Sequence, residues 1–117
     1  ILGGVLYKNS LSVRGEYAAQ GFENAACDKL FFGVDGIDER FGFTCATEEE
    51  AILTKKFIDA SDNVIVLADS SKFGRKGFGR ICSLGCVNTV ITDDGIPEKY
   101  RNLLIKACIN LITVPKE

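Results

Sequence analysis

Apolar residues in this chain come in short runs, each stopped by a polar or glycine-bearing cluster, and the period of each run points to an element. NVIVLAD at 63–69 is apolar on both faces, as a strand in the centre of a parallel sheet is. KLFFGV at 29–34 is a second short strand, stopped by DGID. TVITDDG at 89–95 is a strand with its turn, and NLITV at 110–114 is a last strand. Ile1–Leu2 read as the end of a strand running into Gly3-Gly4, and 79–86 holds one more short strand. Phe41, Phe43 and Cys45 alternate with polar or small residues, which suits a short extended piece.

Helical spacing separates these runs. In GEYAAQGFENAAC at 15–27, Tyr17, Ala18, Phe22, Ala25 and Ala26 fall near one face. Thr47 ahead of Glu48, Glu49 and Glu50 is a capping box, with acids at the positive end of the helix dipole. That helix should run from 48 to about 60 and bury Ala51, Ile52, Leu53, Phe57 and Ile58. Pro97, beside Glu98, suits the first turn of a helix over about 97–108. Residues 5–14, VLYKNSLSVR, read as a connection. The order is strand, helix, strand, helix, strand, strand, helix, strand. It predicts an α/β domain: a mainly parallel sheet flanked by helices, with right-handed crossovers, spanning 1–117 as one domain.

The 117 residues, 46% of them hydrophobic, are enough for one core. Net charge is −2, and the 14 basic and 16 acidic residues are mixed along the chain, which argues against nucleic-acid binding by overall field. No apolar run approaches 18 residues, so no membrane span is expected. ILGG lacks the basic start and long apolar stretch of a signal peptide. The chain contains no Met and reads as a piece of a longer protein. Five cysteines, Cys27, Cys45, Cys82, Cys86 and Cys108, match no common zinc spacing, and there is no His. They read as small core residues in a reducing compartment, with a metal site or a disulfide as the lesser alternative, and no cofactor is expected.

In open α/β sheets, ligands bind beyond the carboxyl ends of the strands. The polar residues gather at those ends: Asp35-Gly36-Ile37-Asp38, Asp69-Ser70-Ser71-Lys72, Asp93-Asp94, and Gly3-Gly4 with Lys8-Asn9-Ser10. Taken singly, each is a weak signal that also reads as a turn, a cap or a surface residue, and Lys72 is the most telling. A lysine directly after a buried strand can give a phosphate a fixed cation, with Ser70, Ser71 and backbone amides helping. The basic loop Lys72–Arg80 interleaves only Phe73 and Phe78, and no DNA-reading element is visible, so it reads as a wall of the crevice.

Five pieces in order, GGVLYKNSLSVRG (3–15), DKLFFGVDGID (28–38), GFTCATEEEA (42–51), VIVLADSSKFGRKGF (64–78) and VNTVITDDGI (87–96), resemble the C-terminal effector-sensing domain of DeoR-family bacterial transcriptional repressors. Within that family the chain looks like regulators of sugar-alcohol or amino-sugar operons, such as the glucitol and N-acetylgalactosamine repressors. The resemblance implies a fold similar to ribose-phosphate isomerase, glucosamine-phosphate deaminase and CoA transferases, here shortened at the N-terminus. It implies a cytoplasmic, non-enzymatic sensor of a phosphorylated sugar or sugar alcohol, acting as a homo-oligomer. Operator DNA would be met only through a winged helix-turn-helix outside this chain. A DSGTT-type phosphate loop would lie before Ile1. By position, Lys8 and Ser10 match the polar residues after the GG turn. Asp35, Gly36 and Asp38 match the acid-bearing loop, Thr44, Glu49 and Glu50 the T…EEA stretch, and Lys72 the DSSK lysine. The resemblance implies that Asp35 and Asp38 accept sugar hydroxyls and that Lys72 meets the phosphate. The alternative is a sugar-phosphate isomerase or deaminase, in which Asp35, Asp38 and Glu49 or Glu50 move protons and Lys72 stabilises an enediolate. Against it stand the lack of His and of a glycine-rich loop placing a single carboxylate base.

Overall fold

The computed structural model describes residues 5–7, 12–14 and 27–116. Strands β3 (Cys27–Gly33), β6 (Ser61–Leu67), β8 (Thr89–Asp93) and β9 (Asn110–Val114) form a parallel sheet in the order β3-β6-β8-β9. Strands β4 (Gly36–Asp38), β5 (Gly42–Cys45) and β7 (Gly79–Cys82) form a small antiparallel sheet in the order β4-β5-β7. Strands β1 (Val5–Tyr7) and β2 (Ser12–Arg14) pair antiparallel, with Leu6 opposite Val13. The two helices are α1 (Glu48–Asp59) and α2 (Glu98–Lys106), and short 3-10 turns lie at Ser70–Lys72 and Leu84–Cys86.

The α/β class with a mainly parallel sheet is therefore as expected. Thr47 caps α1, its hydroxyl accepting from the Glu50 amide at 3.1 Å, so the capping-box reading holds on the threonine side. Helix α1 buries Ala51 and Leu53 and half-buries Phe57 and Ile58. Ile52, expected in the core, is 50% exposed. It follows Ala51 directly, and a 100° step carries it off the buried stripe. Helix α2 begins one residue after Pro97. It stops where Cys108 takes a left-handed φ of 62° and the Ile109 amide closes back on the Leu104 carbonyl at 3.0 Å.

Further expectations change. DGID is not only a turn, since Gly36–Asp38 is strand β4, paired with β5. The stretch 5–14 carries the strands β1 and β2 rather than a plain connection. Both cases involve three-residue strands, too short to show a period in the sequence. The cysteines do not share one fate: Cys45 is buried with its thiol donating to the Thr47 carbonyl at 3.3 Å, Cys108 is an exposed thiol, and Cys82 and Cys86 are joined as a disulfide. The turn at Leu84–Cys86 folds the chain after β7 back on itself and brings these two together. The strand expected at Ile1–Leu2 and the helix over 15–26 lie outside the described residues, and Cys27 opens β3 rather than ending a helix.

The core lies between the parallel sheet, the small sheet and the helices. Val66 and Val90, paired in register, are fully buried and join Ile37, Phe43, Ile81 and Leu104 in one cluster. Burial of side chains this size contributes roughly 1.5–3 kcal/mol each relative to exposure. The opposite rows of the sheet present Phe31, Leu67, Ile112 and Val114, all substantially exposed.

Candidate functional site

Because β3, β6 and β8 are parallel, their carboxyl ends lie at one edge, and Gly33, Leu67 and Ile91 are level across it. The chain leaves β3 through Asp35, β6 through Asp69, and ends β8 at Asp93. The segments after β3 and β6 then run side by side. Ile37 bridges Phe73 in parallel, and the Gly74 amide donates to the Ile37 carbonyl at 2.8 Å.

At the β6 end, Asp69 caps the 3-10 turn that carries Ser70, Ser71 and Lys72. Its Oδ1 accepts from the Ser71 hydroxyl and from the Ser71 amide at 2.9 Å. The Ser71 hydroxyl, then its amide, hold the Asp69 carboxyl below the usual range. The Lys72 amide closes the turn on the Asp69 carbonyl at 3.1 Å, and its side chain is half-buried. Asp93 fastens this turn to β8: Oδ2 accepts from the Ser70 amide at 2.8 Å and Oδ1 from the Gly95 amide at 2.8 Å. These hydrogen bonds, that from the Ser70 amide foremost, lower the Asp93 pKa.

At the β3 end, Asp35 is exposed, and its amide donates to the Thr44 carbonyl at 2.9 Å. Asp38 turns the chain, its Oδ1 accepting from the amides of Phe41 and Arg40, both at 2.9 Å. The Phe41 amide is the largest cause of its lowered pKa, and the charges of Lys76 and Lys99 act in the same direction. Gly36 is buried because a Cβ there would stand 2.4 Å from the Arg75 carbonyl oxygen. Thr44, 1% exposed, donates its hydroxyl to the Gly36 carbonyl at 3.1 Å and accepts from the Gly77 amide at 2.8 Å. Thr44 thus pins the segment Phe73–Phe78 as a strap across β4 and β5, and its hydroxyl is used within the fold.

The structure brings together Asp35, Gly36, Asp38, Thr44 and the turn bearing Lys72. Glu49 stands exposed in the first turn of α1, directly after β5. Lys8 and Ser10 lie outside the described residues. Reading the sequence did not single out Asp93 as the tie between strand ends, nor Phe41, Lys76 and Arg80 as neighbours. The one available signal was the pair Gly77 and Gly79 in FGRKGFG, where the backbone lies close on the Cys45 and Thr47 carbonyls. Among the described residues no cluster of metal-ligating side chains occurs, and no helix is long and apolar enough to cross a membrane.

A parallel sheet with acid-bearing loops and a lysine turn at its carboxyl edge, joined to a small antiparallel sheet, describes an α/β domain whose polar loops gather at one sheet edge. The chain belongs to the family of DeoR C-terminal sensor domains, whose model matches residues 1–94. It is 37% identical over 112 residues to a protein named "Putative aga operon transcriptional repressor" from Escherichia coli O157:H7, covering 96% of this chain and 42% of that protein. It is 35% identical over 113 residues to the HTH-type transcriptional regulator YulB of Bacillus subtilis, covering 97% and 44%. It is 31% identical over 117 residues to the HTH-type transcriptional repressor GlcR of Bacillus subtilis, covering 100% and 45%. The chain thus spans less than half the length of these relatives. They are transcriptional regulators by name.

Proposed function

We propose that this chain is the effector-sensing part of a bacterial transcriptional repressor of carbohydrate-utilisation genes, and that its ligand is a phosphorylated sugar or sugar alcohol. The observation that carries this reading is the side-by-side course of the Asp35–Asp38 and Asp69–Lys72 segments beyond two neighbouring parallel strands. Lys72, rooted in a capped turn, supplies the cation for the phosphate. Asp35 accepts sugar hydroxyls, and Asp38 does so through the carboxylate oxygen its turn leaves free. Gly36 and Thr44 act on the ligand indirectly, by holding the strap and β4 in place. Lys8, Ser10 and Glu49 complete the ligand's surroundings.

The names of the relatives support a regulator rather than an isomerase or deaminase. The mechanism is a shift between two arrangements of a homo-oligomer, only one of which the ligand prefers, and DNA-binding parts elsewhere in the full-length protein read out that shift. The test is a thermal-shift screen of the protein against sugar phosphates and sugar-alcohol phosphates, with wild type, Lys72→Ala and Asp35→Asn side by side. A stabilising ligand should raise the melting temperature of wild type and lose most of that effect in both variants. Stabilisation that survives both substitutions moves the site elsewhere. Turnover of a sugar phosphate would replace the sensor reading by the enzyme reading.

A further inference from the structure

Three cationic side chains converge on one residue, Phe41, at the outer edge of the small sheet. The Lys76 ammonium lies 4.4 Å from the centre of the Phe41 ring, and the Arg40 guanidinium carbon lies 5.4 Å from it. Arg80 Nε donates to the Phe41 carbonyl at 3.1 Å. Two other basic groups take a carboxylate: Lys99 takes Glu39 at 2.7 Å and Arg101 takes Glu98 at 3.6 Å. Among the described residues, Arg40, Lys76 and Arg80 form no ion pair. Asp38 is the acid whose field Lys76 reaches, and one carboxylate cannot balance three cations. Beside them opens a cleft of about 500 Å³ lined by Phe41, Thr44, Lys76, Gly77, Phe78 and Arg80, within the usual size of small-molecule sites. Phe78 stands 84% exposed on its wall. An aromatic side chain so exposed has solvent on nearly all its surface and gains from any flat apolar group laid on it.

We infer that this cleft is a second ligand site, taking a small phosphate-bearing anion with a planar ring, of the nucleoside monophosphate class. The phosphate sits between Lys76 and Arg80, where its charge relieves the mutual repulsion of the three cations. The ring packs on Phe78. The strap presents Lys76 and Phe78 together because Thr44 pins its backbone at Gly77 and leaves both side chains outward, and β7 adds Arg80 directly after it. An open cleft of this size, on a chain whose net charge is −2, fits a small anion better than a nucleic-acid backbone. Of the strand-end residues assigned to the effector, only Thr44 also lines this cleft, so this site stands independently of the effector reading.

The test is calorimetric titration of the protein at low salt with adenosine, guanosine and uridine 5′-monophosphates, with adenosine and inorganic phosphate as controls. A monophosphate nucleotide should bind roughly tenfold tighter than either control, since the charge-assisted contact that adenosine lacks and the stacking on Phe78 that phosphate lacks are each equivalent to about that factor. Lys76→Gln with Arg80→Gln should abolish the difference, and Phe78→Ser should weaken the nucleotide while sparing phosphate. All three side chains are exposed, so these variants keep the fold. Lys72→Ala should leave nucleotide binding unchanged, which separates this site from the effector crevice. The inference fails if no monophosphate binds more tightly than the controls, or if binding survives the Lys76 and Arg80 changes. It fails equally if those changes affect only binding of a single-stranded oligonucleotide, which would make the patch a nucleic-acid surface.

Discussion

Replacing Thr44 by valine keeps the shape of the side chain and removes one oxygen. That oxygen has two partners 33 residues and 8 residues away in the chain: the Gly77 amide at 2.8 Å and the Gly36 carbonyl at 3.1 Å. Without it, a buried carbonyl and a half-buried amide lose their partner. Each such loss costs roughly 1–3 kcal/mol, with the half-buried amide at the low end because water can reach it. The expected total is about 2–4 kcal/mol, a large share of the roughly 5–15 kcal/mol typical of a domain. Thr44→Ser keeps both hydrogen bonds and loses one methyl group, which should cost about 1 kcal/mol. Urea unfolding followed by circular dichroism compares the three proteins. With a slope of roughly 1–3 kcal/mol per molar urea, Thr44→Val should lower the midpoint by about 1–2 M, several times more than Thr44→Ser. Amide exchange at Gly77 should rise in the valine variant and not in the serine variant. If the valine and serine variants unfold at the same urea concentration, the hydroxyl does not pin the strap, and the account of the small sheet given above is wrong.

The remaining expectations concern the same edge of the molecule. Gly36→Ala places a Cβ 2.4 Å from the Arg75 carbonyl oxygen, a backbone atom that cannot swing away, and should cost roughly 1–3 kcal/mol or more. Gly85→Ala, with nothing within 4 Å, should leave the urea midpoint unchanged, and the pair separates a packing clash from a general loss of glycine. Asp38, Asp69 and Asp93 all have pKa values lowered from 3.8 by hydrogen bonds that exist only in the fold. A lowered folded value stabilises the fold above the unfolded pKa, and that stability disappears as pH falls through the folded values. Thermal stability should therefore be level well above pH 3.8 and fall below it, and Asp93→Asn should flatten part of that fall in a melting series across acid pH. Leu104→Ala empties a fully buried position in α2 and should cost about 2–5 kcal/mol in urea unfolding.

What the amino-acid order determined by itself was local. NVIVL had to be an interior strand because it offers no polar face, and the structure buries Val64, Ile65 and Val66. Thr47 ahead of three glutamates had to start a helix because the cap and the dipole act within one turn. The strand 110–114 was legible for the same reason, as was the gathering of polar groups at strand ends, which follows from parallel pairing alone. Tertiary structure decided the rest. Strands of three residues carry no period, so β4 was hidden in what read as a turn, and β1 and β2 in what read as a connection. The partner of Thr44 lies 33 residues away, and Arg80 meets Phe41 across 39, distances at which sequence spacing says nothing about contact. The sequence alone therefore offered Thr44 as a ligand contact without showing that its hydroxyl ties Gly36 to Gly77, and FGRKGFG as a crevice wall without showing what it packs on. Only the folding of that segment onto β4 and β5 brought Lys76 and Arg80 to Phe41 beside Arg40.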